Sequence, residues 1–149
     1  RQAGQPASID RKYPGLYNAR RDNLEKFWRR EFGYSHAVML VESFYENVER
    51  DGRNAVLHFV PRPVGTMLVA CLFAQWTDSA GGEPLLSFAA ITDDPPPEVA
   101  AAGHDRMIVN LKPEHVEAWL TPAGRSLEEL QGILSDRQAP FYEHEVLAA

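Results

Sequence analysis

Three short segments carry the side chains best suited to chemistry: Tyr17–Arg20, Ser43–Asn47 and Gly103–Met107. Glu46 stands in the run Phe44-Tyr45-Glu46, inside an otherwise apolar stretch that leads to a turn. A carboxylate among aromatics loses hydration, which raises its pKa toward the range useful for general acid–base work. The same alternation also allows Glu46 to face solvent with Tyr45 facing inward. His104-Asp105-Arg106-Met107 follows a loop rich in Pro and Ala and enters an extended segment, a junction that often displays functional side chains on a rigid scaffold. Histidine moves protons near neutral pH, and arginine offers a planar fork to phosphate. A surface histidine beside a local Asp–Arg pair is the plainer reading. Asn18-Ala19-Arg20 lies where an irregular lead-in meets a helical pattern, so Asn18 and Arg20 serve either as helix-start residues or as an amide and a cation for a phosphorylated ligand.

Other site types lack support. The chain has no H-E-x-x-H, paired C-x-x-C or EF-hand spacing, no Gly-rich phosphate loop and no dinucleotide fingerprint, so neither a metal nor a cofactor is expected. Ser87, His104 and Asp105 can be drawn as a triad, but no nucleophile elbow accompanies them. The single cysteine, Cys71, sits in the apolar run Met67–Phe73 and reads as a buried strand residue rather than a nucleophile. The formal net charge of −6 argues against bulk attraction to nucleic acid. Its distribution is uneven, because residues 1–36 hold eight Lys/Arg against four acids and the remainder seven against 17. One localised anionic contact surface fits that asymmetry, as does a solvated basic face. No run approaches the roughly 20 apolar residues of a membrane span, and no signal-peptide pattern is visible, so a cytoplasmic protein without a membrane partner is expected.

The elements that must position these groups can be sketched from periodicity. Residues 1–15 look irregular, with Gly4, Pro6, Pro14 and Gly15 as breakers. Residues 21–32 (RDNLEKFWRREF) have the spacing of a helix. The stretch from His36 to Val48 reads as extended, Asp51-Gly52 as a hairpin turn and Asn54–Val60 as the returning strand. Thr66–Trp76 is the most apolar strand and is expected at the centre, turned by Gly81-Gly82 into Leu85–Thr92. Asp93–Gly103 predicts a loop or one short helix, His104–Leu111 a strand and Pro113–Leu120 a short helix. Ser126-Leu127-Glu128-Glu129 matches a capping box opening a helix to about Leu134, and Phe141–Leu147 closes as a strand. The fold expected is α+β, a mostly antiparallel, barrel-like sheet meander flanked by short helices, in one domain over residues 1–149.

In this order and at these separations the segments resemble the SOS response-associated peptidase (SRAP) family. Asn18-Ala19-Arg20 matches its N-A-R motif, Ser43-Phe44-Tyr45-Glu46 its G-F-Y-E motif, and His104-Asp105-Arg106-Met107 its H-D-R-M motif. Thr92 resembles the Thr that ends the family's preceding strand, and Glu143-His144-Glu145-Val146 loosely resembles its W-H-P-V element. The departures are Ser43 for Gly, Asn47 for Trp, Leu40 for an upstream Pro and Ile108 for the Pro after H-D-R-M. The resemblance runs from about Tyr17 to Val146. It implies a DNA-damage protein that traps abasic sites in single-stranded DNA through an N-terminal cysteine. The α-amine forms a Schiff base with the sugar aldehyde and the thiol closes it to a thiazolidine. That nucleophile is expected outside the present chain, in an N-terminal segment upstream of Arg1. The resemblance assigns catalysis to Asn18, Glu46 and His104, and DNA contact to Arg20, Arg106 and Thr92. It leaves two further classes open: a DNA-binding module without chemistry, and a thiol peptidase acting on its own N-terminus. Oligomeric state is not legible.

Overall fold

The computed structural model describes residues 18–50, 52–77 and 83–148. The irregular lead-in, Tyr17, Asp51 and the Gly81-Gly82 turn lie outside the described residues. The described residues build two open sheets and three short helices, an α+β architecture whose sheets do not close into a barrel.

The first sheet contains β1 (Asn18–Arg20), β2 (His36–Val41), β5 (Met67–Trp76), β6 (Leu85–Asp93) and β7 (Met107–Ile108). Its order is β1-β6-β5-β2, with β7 also on β6. All pairs are antiparallel except β1 with β6. The second sheet is β3 (Phe44–Arg50), β4 (Arg53–Arg62) and β8 (Phe141–Ala148), antiparallel throughout. The helices are α1 (Pro97–Ala101), α2 (Val116–Leu120) and α3 (Leu127–Ser135).

The first sheet is covered on both faces, which explains why Met67–Phe73 is a continuous apolar run rather than an alternating one. On one face Ala19, Ala70, Leu72 and Ile91 pack with Trp119, Leu130 and Leu134 from the helical layer. On the other, Met67, Val69, Cys71 and Ala90 pack against Val48, Leu57 and Phe59 of the second sheet and Val99 of α1. β5 is interior, as expected of the most apolar strand. Cys71 is 1% exposed, and burial pushes its thiol up to about 11, so it is a packing residue.

Besides the expected barrel-like closure, three expectations are corrected. The segment 21–32 is not a regular helix but a 3-10 turn at Arg21–Asn23 followed by successive turns. The Asn23 carbonyl accepts from Lys26, Phe27 and Trp28 together, at 3.2, 3.0 and 3.3 Å, so the one-bond-per-residue ladder does not propagate. The apolar spacing still marked the right core residues, since Leu24 and Phe32 are buried. The stretch 36–48 is two strands rather than one, because the chain crosses from the first sheet to the second at Glu42-Ser43. Residues 104–111 pair continuously only at Met107–Ile108. Beyond this the segment wedges between β6 and β5: Val109 N–H donates to Ile91 O, and Val109 O accepts from Ala70 N–H, both at 2.9 Å. The Asn110 side chain then takes the Leu68 N–H at 2.8 Å.

Elsewhere the sequence signals hold. Ser126 Oγ accepts from Glu129 N–H at 3.1 Å and Glu129 Oε2 accepts from Ser126 N–H at 2.7 Å, the reciprocal capping box. The β3–β4 hairpin closes with Arg50 opposite Arg53. His36 is a buried polar residue whose role is structural. Its Nδ1–H donates to Trp119 O at 2.9 Å and its Nε2 accepts from Gly33 N–H at 2.8 Å, which defines the neutral tautomer.

Burial lowers the His36 pKa from an ordinary 6.5 to about 4, against a smaller opposing effect of the Trp119 carbonyl. The folded state therefore keeps His36 neutral where the unfolded chain would bind a proton. This contribution to stability is fully present above pH 6.5 and is lost as pH falls from there toward 4. The two values correspond to a loss of roughly 3 kcal/mol at the acid end. Denaturant midpoints measured from pH 7 to pH 4 are expected to fall, with a shallower slope in His36→Gln. An equal slope in the variant would remove His36 as the cause.

Candidate active site

The two sheets meet at a carboxylate and an imidazole. Along β3, Phe44, Glu46 and Val48 lie opposite Phe59, Leu57 and Ala55, so they share the inward face, and Tyr45 points outward. The outward alternative for Glu46 is therefore excluded, and Tyr45 is exposed, stacked on His58 at a ring distance of 4.6 Å. His104 reaches Glu46 from the loop between α1 and β7 of the other sheet. Two residues beyond α1, Gly103 has a φ of +97°, a left-handed conformation that turns the chain sharply after the helix. The wedge of residues 107–111 then anchors the following backbone.

His104 Nε2 lies 3.0 Å from Glu46 Oε2, with the histidine side chain 18% and the glutamate 30% exposed. The pair is thus largely desolvated yet open enough to meet a ligand. The other ring nitrogen settles the proton inventory. His104 Nδ1 is 2.7 Å from the Arg106 carbonyl oxygen, a separation that requires an N–H donor on Nδ1. The Arg106 N–H, at 3.3 Å from the same nitrogen, is then a weak secondary approach. With Nδ1 protonated, Nε2 faces the carboxyl through a single shared proton. The two states are neutral acid with neutral imidazole, and carboxylate with imidazolium. Burial raises the Glu46 pKa, the His104 charge and hydrogen bond pull it down, and Asp105 adds a further push upward.

Of the remaining expected site residues, Asn18, Arg20 and Thr92 lie in the first sheet and Arg106 in the loop before β7. In β1, Ala19 points into the helical core, so Asn18 and Arg20 occupy the opposite face, the one turned toward the second sheet. Asn18 is in register with Ala90, and Arg20 with Thr92. Arg20 is exposed and forms a bidentate pair with Asp22, Nε to Oδ1 at 3.2 Å and Nη2 to Oδ2 at 2.9 Å. Thr92, expected to contact DNA, is 4% exposed and lies in register between Arg20 and Ile108. Arg106 is half-buried, and its carbonyl, not its guanidinium, is what binds His104.

Sequence reasoning missed two contributors. Asp105 was read as a partner for Arg106, whereas its charge acts on Glu46. Asp93 binds Arg21 and Arg137 at 2.9 and 3.0 Å, a pairing across 72 and 44 residues that no local pattern announces. Among the described residues no group of three or more His, Cys, Asp or Glu converges as a metal site, and no helix is long and apolar enough to cross a membrane.

The fold and site thus define a two-sheet α+β scaffold with a carboxylate–imidazole contact where the sheets meet. The chain matches the family model described as SOS response associated peptidase (SRAP) over residues 5–148, and it belongs to that family. It is 28% identical over 122 residues to abasic site processing protein YoaM of Bacillus subtilis strain 168, covering 80% of this chain and 53% of YoaM. A crystal structure of a Bacteroides thetaiotaomicron protein superposes with a TM-score of 0.72 at 21% identity, covering 87% of this chain and 57% of that one. A phage-related protein of Bordetella bronchiseptica gives 0.67 at 22% identity, covering 89% and 63%. These likenesses establish the fold. The chain spans about half the length of YoaM and under two thirds of these solved structures.

Proposed function

We propose that the full-length protein acts in DNA-damage handling by covalently trapping abasic sites in single-stranded DNA, with the Glu46–His104 pair as its acid–base element. The observation that carries this reading is the 3.0 Å contact between Glu46 and His104 on the inward face between the sheets. Family membership and the name of YoaM support it.

An abasic sugar is mostly a closed hemiacetal. Opening it removes a proton from the anomeric hydroxyl and delivers one to the ring oxygen. A carboxyl and an imidazole that exchange one proton suit that pair of transfers, since one partner accepts as the other donates. An N-terminal cysteine of the full-length protein then supplies the nucleophiles. Its α-amine, with a pKa near 7.7–8.0, is partly unprotonated at neutral pH. The amine adds to the aldehyde and water leaves, giving the Schiff base. The thiol adds to the imine carbon, and its proton passes to nitrogen, closing the thiazolidine. His104 assists the Schiff-base steps and their reversal, and Asn18 orients the amine or the sugar. Arg20 exchanges its exposed partner Asp22 for a phosphate, and Arg106 holds a second one.

The test is incubation of full-length protein with single-stranded DNA carrying one abasic site. A heat-stable adduct is expected, absent with intact single-stranded DNA. Binding without an adduct would favour the DNA-binding module. Cleavage of the protein's own N-terminus without DNA dependence would favour the peptidase.

A further inference from the structure

We infer that Asp93, held between Arg21 and Arg137, is a positioning residue that sets the strand carrying Asn18 and Arg20 and the loop carrying His104 in register with Glu46. This inference rests on the function proposed above for the same site.

Asp93 is the last residue of β6, where three structural lines converge. Its neighbour Thr92 is in register with Arg20 of β1 and with Ile108 of β7, and Asp93 itself is opposite Met107, three residues past His104. Its Oδ2 accepts from Arg21 Nη1 at 2.9 Å and from Arg137 Nη1 at 3.0 Å, while Oδ1 accepts from Asp94 N–H at 2.9 Å. Both carboxylate oxygens accept hydrogen bonds, and the side chain is only 19% exposed.

Each arginine leads to a different element. Arg21 directly follows β1, and its guanidinium also donates to Gln131 Oε1 and Gln131 O, both at 3.0 Å, and to Ser135 Oγ on α3. The end of β1 is thereby tied to β6 and α3 through one planar group, whose fixed fork tolerates little displacement. Arg137 is bridged to Leu111, at the end of the wedge that follows His104. Next to it, Gln138 N–H donates to Asn110 O at 2.8 Å. β1 is only three residues long and pairs with one neighbour, so its ladder alone gives little resistance to a slip. A one-residue slip would turn Asn18 and Arg20 to the opposite face. The hydrogen bonds of Asp93 go to Arg21, Arg137 and Asp94 rather than to Glu46 or His104, so its effect runs through the strands.

The experiment compares full-length wild type, Asp93→Asn and Arg21→Lys. Arg21→Lys keeps the charge beside Asp93 but lacks the fork, and it serves if Asp93→Asn does not fold. Two readouts are taken: the rate of adduct formation with affinity for DNA bearing a tetrahydrofuran abasic analogue, and the Glu46 carboxyl titration followed by its carbon-13 shift. The variants are expected to form adduct at least tenfold more slowly, with a smaller loss of affinity as Arg20 is displaced. In Asp93→Asn the Glu46 titration is expected to move upward as His104 loses its place. Removing the negative charge of Asp93 without any displacement would instead move it downward. Wild-type rates, or an unmoved or downward titration, would overturn the positioning role. If the wild type forms no adduct, the proposed function fails, and the titration alone then decides the positioning inference.

Discussion

Glu46→Gln in the full-length protein is expected to slow adduct formation on abasic single-stranded DNA by about 100-fold, the lower range for removing a general acid–base group. Affinity for the same DNA should change by less than about twofold, because the amide keeps the size and polarity of the carboxyl and Arg20 and Arg106 are untouched. The amide can donate to His104 Nε2 but cannot pass a proton back and forth. The pH profile distinguishes this from simple disturbance. Burial and Asp105 raise the Glu46 pKa above the ordinary 4.5 against the opposing pull of His104. Below that raised value Glu46 is protonated and cannot act as a base. The wild-type rate should therefore fall as pH drops through a point above the usual carboxylate range, and Glu46→Gln should lose that limb. Single-turnover rates across pH, with binding measured in parallel, check both statements. An equal loss of rate and affinity would contradict the acid–base role.

Trp119→Ala is expected to be the most destabilising single change in the helical layer. Trp119 is fully buried, its ring stacks on His36 at 3.9 Å, and its Nε1–H donates to Ala37 O at 3.0 Å. Truncation leaves a large cavity, removes the hydrogen bond to the Ala37 carbonyl and removes the ring against which His36 is held. Such changes cost about 3–5 kcal/mol, a large share of the total stability of about 5–15 kcal/mol typical of proteins. Urea denaturation should show a midpoint lowered accordingly. Trp119→Phe is expected to recover part of the loss through packing but not the Ala37 hydrogen bond. A midpoint within 1 kcal/mol of wild type for Trp119→Ala, on the scale of a surface change, would contradict the packing described.

The relation of sequence to structure differs between elements for physical reasons. Strands β4, β5 and β6 were legible because their apolar runs are bounded by turn or proline signals, and α3 because its capping box is local. The stretch 36–48 was misread as one strand because β2 and β3 share extended conformation and apolar composition. Which sheet each joins is decided by partners distant in sequence. The segment 21–32 has helical spacing, and its departure arises from hydrogen bonds converging on Asn23, which composition does not encode. For the candidate site, residue types indicated chemistry but not company. Alternation could not say whether Glu46 or Tyr45 faced inward, because a strand between two apolar neighbours fits either register. The pairing with His104 across 58 positions came from tertiary structure. So did the burial of Thr92 and the binding of His104 by the Arg106 carbonyl.

The central claim is that this scaffold brings an acid–base pair to an abasic sugar attacked by an N-terminal cysteine. It is tested most directly by digesting the adduct formed between full-length protein and abasic single-stranded DNA and mapping the modified peptide by mass spectrometry. The account predicts one adduct, on the N-terminal cysteine peptide, at the summed mass of that peptide and the attached DNA less one water. An adduct on an internal lysine, or none from folded protein bearing that cysteine, would contradict it.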